Sequence, residues 1–273
     1  TALIEPLPDL RIDLNAKRNK DRRIYHSGFN LNIPSPYKDE LSNLNISTVN
    51  IKTAFKNGDA IFDQFSENTK TISGRLGNAR GVAKKDDLGY YEGFNDRSSD
   101  VLLPAFLAAV AGKDASSAKL GYNRSIPVPN WRIAYTGLKS LPIVNKYFDN
   151  VEISSAYNST YTAAGIQSNP NYMLDAGIIN GGTVTGKDSN GNYYTKNLYG
   201  AITMIESFSP LIGFDLTFRN NMQLRAQYNR DHMLSLSTTN YTYTEDYGNE
   251  FIFGFGYIFK DLKLKIRYQG NQK

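Results

Sequence analysis

Phe251-Ile252-Phe253-Gly254-Phe255-Gly256-Tyr257-Ile258-Phe259 places an aromatic ring at every second position. A Lys260-Asp261 turn follows, after which Leu262, Leu264, Ile266 and Tyr268 alternate with Lys263, Lys265 and Arg267. Successive side chains of a β-strand point to opposite faces, so a period of two sorts residues by face. One face of this hairpin carries Phe251, Phe253, Phe255, Tyr257, Phe259, Leu262, Leu264 and Ile266, which are expected to face lipid or a membrane partner. The other carries Gly254, Gly256, Lys263, Lys265 and Arg267, expected to face a polar lumen. A soluble sandwich can show this pattern once, over a short strand. Its recurrence over strands long enough to cross a bilayer points to an antiparallel transmembrane β-barrel wall.

Composition fits that reading. The chain of 273 residues has no run near the ~20 apolar residues that a spanning helix needs. Its mean hydropathy of −0.45 is polar, as expected where an apolar face is hidden by alternation. Tyrosine is abundant (19, with 14 Phe and a single Trp), which suits strands that cross a membrane interface, because the ring is apolar and the hydroxyl seeks water. There is no cysteine, which removes disulfide and thiolate-metal readings. The net charge of +5 is dispersed, and no basic cluster or helix concentrates it, so no nucleic-acid partner is expected. An open strand edge in lipid leaves backbone groups unpaired, so the chain reads as a piece of a larger polypeptide.

Along the chain, alternation predicts strands over residues 10–18 and 23–33, and over 44–53 with a phase slip between Ile46 and Val49 that suggests a bulge. The spacing of Ile61, Phe65, Ile72, Leu76 and Ala79 is helical, interrupted by Gly74 and Gly77, which suggests two short helices. Ser98-Ser99-Asp100 reads as an N-cap for an apolar helix over 101–110, with Pro104 inside it and Gly112 as its stop. That helix is too short to span and too apolar to sit in water. It is expected inside the lumen, packed near Gly254 and Gly256, or at the barrel rim against a partner. Strands resume at Trp131, Ile133 and Tyr135, a helical turn follows over 141–148, and a strand runs over 151–165. After a Gly/Asn/Ser-rich loop over 169–196, strands are predicted over 198–206, 211–219, 222–230 and 232–245, with Asn220-Asn221 as a hairpin turn. The organisation is therefore barrel strands over 1–55, a helical insertion over 56–128 and barrel strands over 129–273.

No catalytic, cofactor or metal site emerges. His26 and His232 are the only histidines, and Asp231 and His232 are adjacent strand residues that point apart. No nucleophile elbow is present, so an enzyme is not expected. Asp188-Ser189-Asn190-Gly191-Asn192 resembles the front of a calcium loop but lacks the bidentate Glu, which favours a surface turn. Gly254 and Gly256 sit in a strand rather than before a helix, so they mark close backbone packing rather than a phosphate loop.

Five segments together resemble one family. They are Ile51-Lys52-Thr53-Ala54-Phe55; Val101-Leu102-Leu103-Pro104-Ala105-Phe106-Leu107-Ala108-Ala109; Pro129-Asn130-Trp131-Arg132-Ile133-Ala134-Tyr135-Thr136-Gly137-Leu138; Glu206-Ser207-Phe208-Ser209-Pro210-Leu211-Ile212-Gly213; and Gly254-Phe255-Gly256-Tyr257. In this order they resemble the C-terminal barrel region of the SprA/Sov family, the outer-membrane translocon of the Bacteroidetes type 9 secretion system. The resemblance implies part of a very large single-chain barrel that passes folded cargo proteins and, in some members, supports gliding motility. It also implies outer-membrane lipids around the wall, a PorV-like barrel at a lateral opening, a periplasmic plug protein, and no catalytic residues. The alternatives left open by the residues are an outer-membrane porin or nutrient receptor, and a secreted β-sandwich adhesin whose apolar faces meet across a core ~10 Å thick.

Overall fold

The structure is a computed structural model that describes residues 1–27, 37–82, 85–121, 126–175 and 183–259. Strands dominate. They are β1 (Ala2–Leu7), β2 (Leu10–Asn15), β3 (Arg18–Ser27), β4 (Tyr37–Ser47), β5 (Asn130–Tyr135), β6 (Phe148–Ser168), β7 (Asn197–Leu198), β8 (Ala201–Phe218), β9 (Met222–Ser237) and β10 (Thr242–Tyr257). The helices are α1 (Gly58–Arg80), α2 (Ser99–Val110), α3 (Pro142–Tyr147) and α4 (Pro170–Met173). No helix among the described residues is long and apolar enough to cross a membrane, which says nothing about strands.

All ten strands join one antiparallel sheet, in the order β1-β2-β5-β6-β8-β9-β10. The described residues leave it open. The remaining strands extend these rows end to end. β4 pairs with the far part of β6 (Ser47↔Thr160) and β5 with the near part (Trp131↔Tyr157), so β4 and β5 form one row broken by residues 48–129. β2 and β3 form the next row in the same way, pairing with β5 and β4 respectively. That row stays in register across its break because Lys17 and Ser47 exchange two hydrogen bonds, at 2.8 and 2.9 Å. The chain thus steps off the sheet after Ser47, builds the helical insertion, and returns at Val128, whose N–H donates to the Ser47 carbonyl at 3.1 Å.

Several expectations change. The phase slip after Ile46 is the end of β4 rather than a bulge. Residues 48–55 leave the sheet and pack with the insertion, where Thr53 Oγ1 donates to the Val110 carbonyl. The bulge in this row lies between Ser42 and Leu44 instead. Residues 198–206 and 211–219 are not two strands; apart from Leu198 in β7 they are one, because β8 runs through a bulge between Phe208 and Ile212. The strand expected over 232–245 belongs to two strands, with the chain reversing between Ser237 and Thr242. The apolar positions pass from even numbers (Leu234, Leu236) to odd (Tyr241, Tyr243) across it, the phase change that marks the reversal. Of the strand expected over 23–33, residues 28–33 lie outside the described residues. The reversal from β8 to β9 takes three residues, Arg219, Asn220 and Asn221, with only Asn221 at positive φ (66°).

The insertion is two helices. α1 is continuous across Gly74 and Gly77, rather than two short helices. Glycine there serves packing, since a Cβ at Gly77 would overlap the Tyr91 ring. Its start is capped by Asn57, whose side chain accepts from the Asp59 N–H at 3.2 Å, and its end by Gly81 at φ 78°. α2 packs against α1, and both helices reach the sheet, α1 through Phe62 and Phe65 against Tyr243. The residues of α2 join Leu44 and Ile46 of β4, Tyr161, Ala163 and Ile166 of β6, Ile202 and Met204 of β8, Leu234 and Leu236 of β9, and Ile61, Phe65 and Ile72 of α1 in one core. The all-round apolar character of α2 is met by burial within the protein.

Candidate membrane-facing belt

The registers place every residue on one of two faces. From β10 through β9 and β8 to β6, the face that holds Tyr243, Leu236, Ile202 and Ala163 also holds Phe251, Tyr228 and Ile212, and then Phe253, Ala226, Phe214 and Ile153. It continues into Tyr135, Ile133 and Trp131 of β5, Leu10, Ile12 and Leu14 of β2, and Ile4 and Ala2 of β1. This single face is divided along the strands. Its half toward Ser168 and Ala201 is covered by the insertion. The half toward the Arg219–Asn221 turn is bare: Phe251 and Phe255 are 68% exposed and Phe253 79%.

The bare half forms an apolar belt across all seven rows of the sheet. From Phe251 to Tyr257 it extends about 20 Å at ~3.4 Å per residue, near the ~25 Å apolar band of outer-membrane barrels. Aromatic pairs edge it. Phe148 and Phe218 lie 4.5 Å apart between ring centres at the turn end, Tyr257 and Phe259 lie 4.8 Å apart, and Tyr228 stacks on Phe251 at 4.6 Å toward the insertion. Rings at such edges combine apolar contact with, for tyrosine, a hydroxyl that reaches water.

The opposite face is polar over the same span. It presents Glu152 and Ser154 of β6, Gly213, Asp215 and Thr217 of β8, and Gln223, Arg225 and Gln227 of β9, beside Ile252, Gly254 and Gly256 of β10. Two pairs of charges lie on it, with Arg225 Nε 2.7 Å from Asp215 Oδ1 and Arg11 Nε 3.0 Å from Asp13 Oδ2.

A polar seam separates covered core from belt. Tyr157 Oη accepts from the Asn50 N–H at 3.0 Å and donates to Glu206 Oε1 at 2.5 Å. His232 Nε2 and Glu245 Oε1 are 2.8 Å apart, and Gly58 at the start of α1 rests against the Glu245 carboxylate. Phe55 from the insertion packs its ring 5.4 Å from that of Phe208, with the Arg230 guanidinium 5.0 Å from the Phe55 ring centre. The seam pins the insertion to four strands. It also sets the edge of the belt, because Glu206, His232 and Glu245 interrupt the apolar face there.

Of the residues expected to face lipid or a partner, Phe251, Phe253, Phe255 and Tyr257 share the belt, and Phe259 follows just past the strand. Gly254 and Gly256 lie on the polar face. The insertion does not approach them. A Cβ at Gly254 would meet only Arg225 Cβ, at 3.4 Å, and one at Gly256 only Gln223. The insertion instead lies on the face that carries the aromatic residues, which corrects the expected packing site. Leu262, Leu264, Ile266, Lys263, Lys265 and Arg267 lie outside the described residues.

Asp231 and His232 point apart as expected, but His232 sits buried in the middle of β9 rather than at a strand start. Asp188 Oδ1 accepts from the N–H groups of Asn190 and Asn192, at 2.8 and 2.9 Å, in a turn with Gly191 at φ 79°. The seam was missed by sequence reasoning, since its members are scattered from Asn50 to Glu245 with no local spacing to reveal them. Comparison with known proteins adds no identity: no family model matches the chain, and no curated protein matches it.

Proposed function

We propose that this chain is part of the wall of an outer-membrane β-barrel, and that the barrel is the protein-conducting translocon of type 9 secretion. The observation that carries the membrane reading is the division of one sheet into an apolar belt that crosses all seven rows and a predominantly polar opposite face. A soluble sheet would cover that belt, and within the described residues no second sheet does. The polar face supports a wide aqueous conduit, because its paired charges make no ring of one sign such as ion-selective pores use. The choice of translocon over porin rests on the resemblance to the SprA/Sov family. On this reading the partners are secreted cargo proteins, outer-membrane lipids, a PorV-like barrel at a lateral opening and a periplasmic plug.

The test is electron cryomicroscopy of the full-length polypeptide in its membrane, counting strands. A barrel far wider than the ~16–22 strands of porins and transporters is expected. A count inside that range gives the porin reading instead. In the same preparation, cysteine at Phe253 should react with lipid-phase reagents and cysteine at Gln223 with aqueous ones. The reverse pattern would remove the membrane reading altogether.

A further inference from the structure

The lower margin of the insertion, where it meets the bare belt, combines two kinds of side chain. Ile51, Phe55, Ile126 and Val128 are exposed there although apolar, at 44, 53, 78 and 42%. Beside them Lys52, Lys113 and Lys119 line one groove along the end of α2, and Lys56 lines a second groove with Lys113. Asp114 is the acidic side chain in both grooves, and it is engaged by the Ser116 N–H at 2.8 Å. The strand rows fix the level of this margin. Ser47, at its top, is opposite Thr160, and Phe55 lies on Phe208, at the boundary between seam and belt.

We infer that this margin is a shelf that binds the phosphate headgroups of the surrounding bilayer. The inference rests on the membrane reading of the belt. If the belt spans the apolar layer, the shelf lies in the plane where acyl chains end and phosphates begin. Exposed apolar side chains can dip below that plane while lysines reach the phosphates, the arrangement of interfacial anchors. Each lysine near an anionic surface adds attraction, and four on one margin make a site complementary to lipid phosphate. The leaflet follows from the connections. The turns at Pro8-Asp9 and Arg219–Asn221 and the 136–147 connection that holds α3 close the belt end, while the longest connection between described strands of the sheet's far half, 169–200, lies at the insertion end. Short turns are periplasmic and long loops extracellular in outer-membrane barrels, so the shelf meets the outward leaflet.

The test uses the full polypeptide in vesicles with Trp131→Phe, so that a tryptophan placed at position 55 (Phe55→Trp) or 253 (Phe253→Trp) is the sole reporter in this region. Brominated phosphatidylglycerol and brominated phosphatidylcholine are compared as quenchers. At position 55 the anionic lipid is expected to quench about fivefold more effectively, a preference abolished by K52Q/K56Q/K113Q/K119Q. At position 253 the two lipids should quench equally, in both backgrounds. Absence of quenching at 253 would overturn the membrane reading itself. Quenching at 253 with no headgroup preference at 55 would overturn the shelf alone. Loss of the preference in inorganic phosphate would assign the lysines to a free anion, and shielding of position 55 by a co-purifying protein would assign the shelf to that protein. Either result also overturns the lipid assignment.

Discussion

Leu234 and Leu236 point to the same side of β9 as Leu224 and Ala226, yet the first pair is buried under α2 and the second lies bare. Along β10, Tyr243 stacks within a core of Phe65 and Phe106, while Phe251 and Phe253, on the same side, have no cover beyond a neighbouring ring. Residue type does not distinguish the two halves, since both are aliphatic and aromatic at period two. What distinguishes them is the covering material. One half is given a protein layer by an insertion that leaves and rejoins a single strand row. The other is left bare among the described residues and, on the proposed reading, faces lipid. The seam of Tyr157, Glu206, His232 and Glu245 marks where one covering gives way to the other.

The largest effect should come from loosening the protein cover. Phe106 is fully buried, with its ring 6.1 Å from Phe65 and 6.2 Å from Tyr243. Phe106→Ala should destabilise the covered half by about 3–5 kcal/mol, read from denaturant unfolding of the reconstituted protein. Phe253→Ala in detergent should cost a small fraction of that. Equal costs would mean that the two halves are not covered differently at all.

Next in size is the belt itself. Phe253→Arg should reduce the free energy of folding into lipid vesicles by about 2–4 kcal/mol, the cost of Arg on a lipid face near the midplane. Gln223→Arg, on the polar face, should leave it nearly unchanged. A cost at Gln223 matching that at Phe253 would break the distinction between faces.

A smaller loss is expected at the seam. Tyr157→Phe removes one hydroxyl that satisfies both the Asn50 N–H and Glu206, and should cost about 1–3 kcal/mol. It should also make the insertion a better target for limited proteolysis while the strands of the belt stay protected. Simultaneous loss of protection in both halves would show that the seam is not a boundary.

Much of the two-faced sheet was legible in the sequence, because alternation is local. Phe251 to Tyr257, Ile212 to Phe218 and Trp131 to Tyr135 each declare their faces within a few residues. β1 was not legible, since Pro6 and Pro8 obscure its alternation. Nor was the division of the apolar face, because a bare Phe251 and a covered Tyr243 satisfy the same pattern. Which one is covered depends on where residues 48–129 fold back, a long-range fact. The continuity of α1 through Gly74 and Gly77 depends likewise on Tyr91, a contact that helical propensity does not anticipate.

The smallest effect tests whether the polar face is wet. Arg225 and Asp215 form a pair 2.7 Å apart on that face, with side chains 55% and 33% exposed. If the face lines an aqueous conduit, water and salt screen the pair, and Arg225→Ala should shift stability by less than about 1 kcal/mol. The shift should shrink further as ionic strength rises. If another protein layer instead covered this face, the same substitution would leave Asp215 buried without its partner, at about 3–5 kcal/mol. That loss would depend little on salt. Unfolding of Arg225→Ala at low and high salt therefore separates a lumen from a second buried interface, and a large, salt-insensitive loss would turn the polar face from a conduit lining into a contact surface.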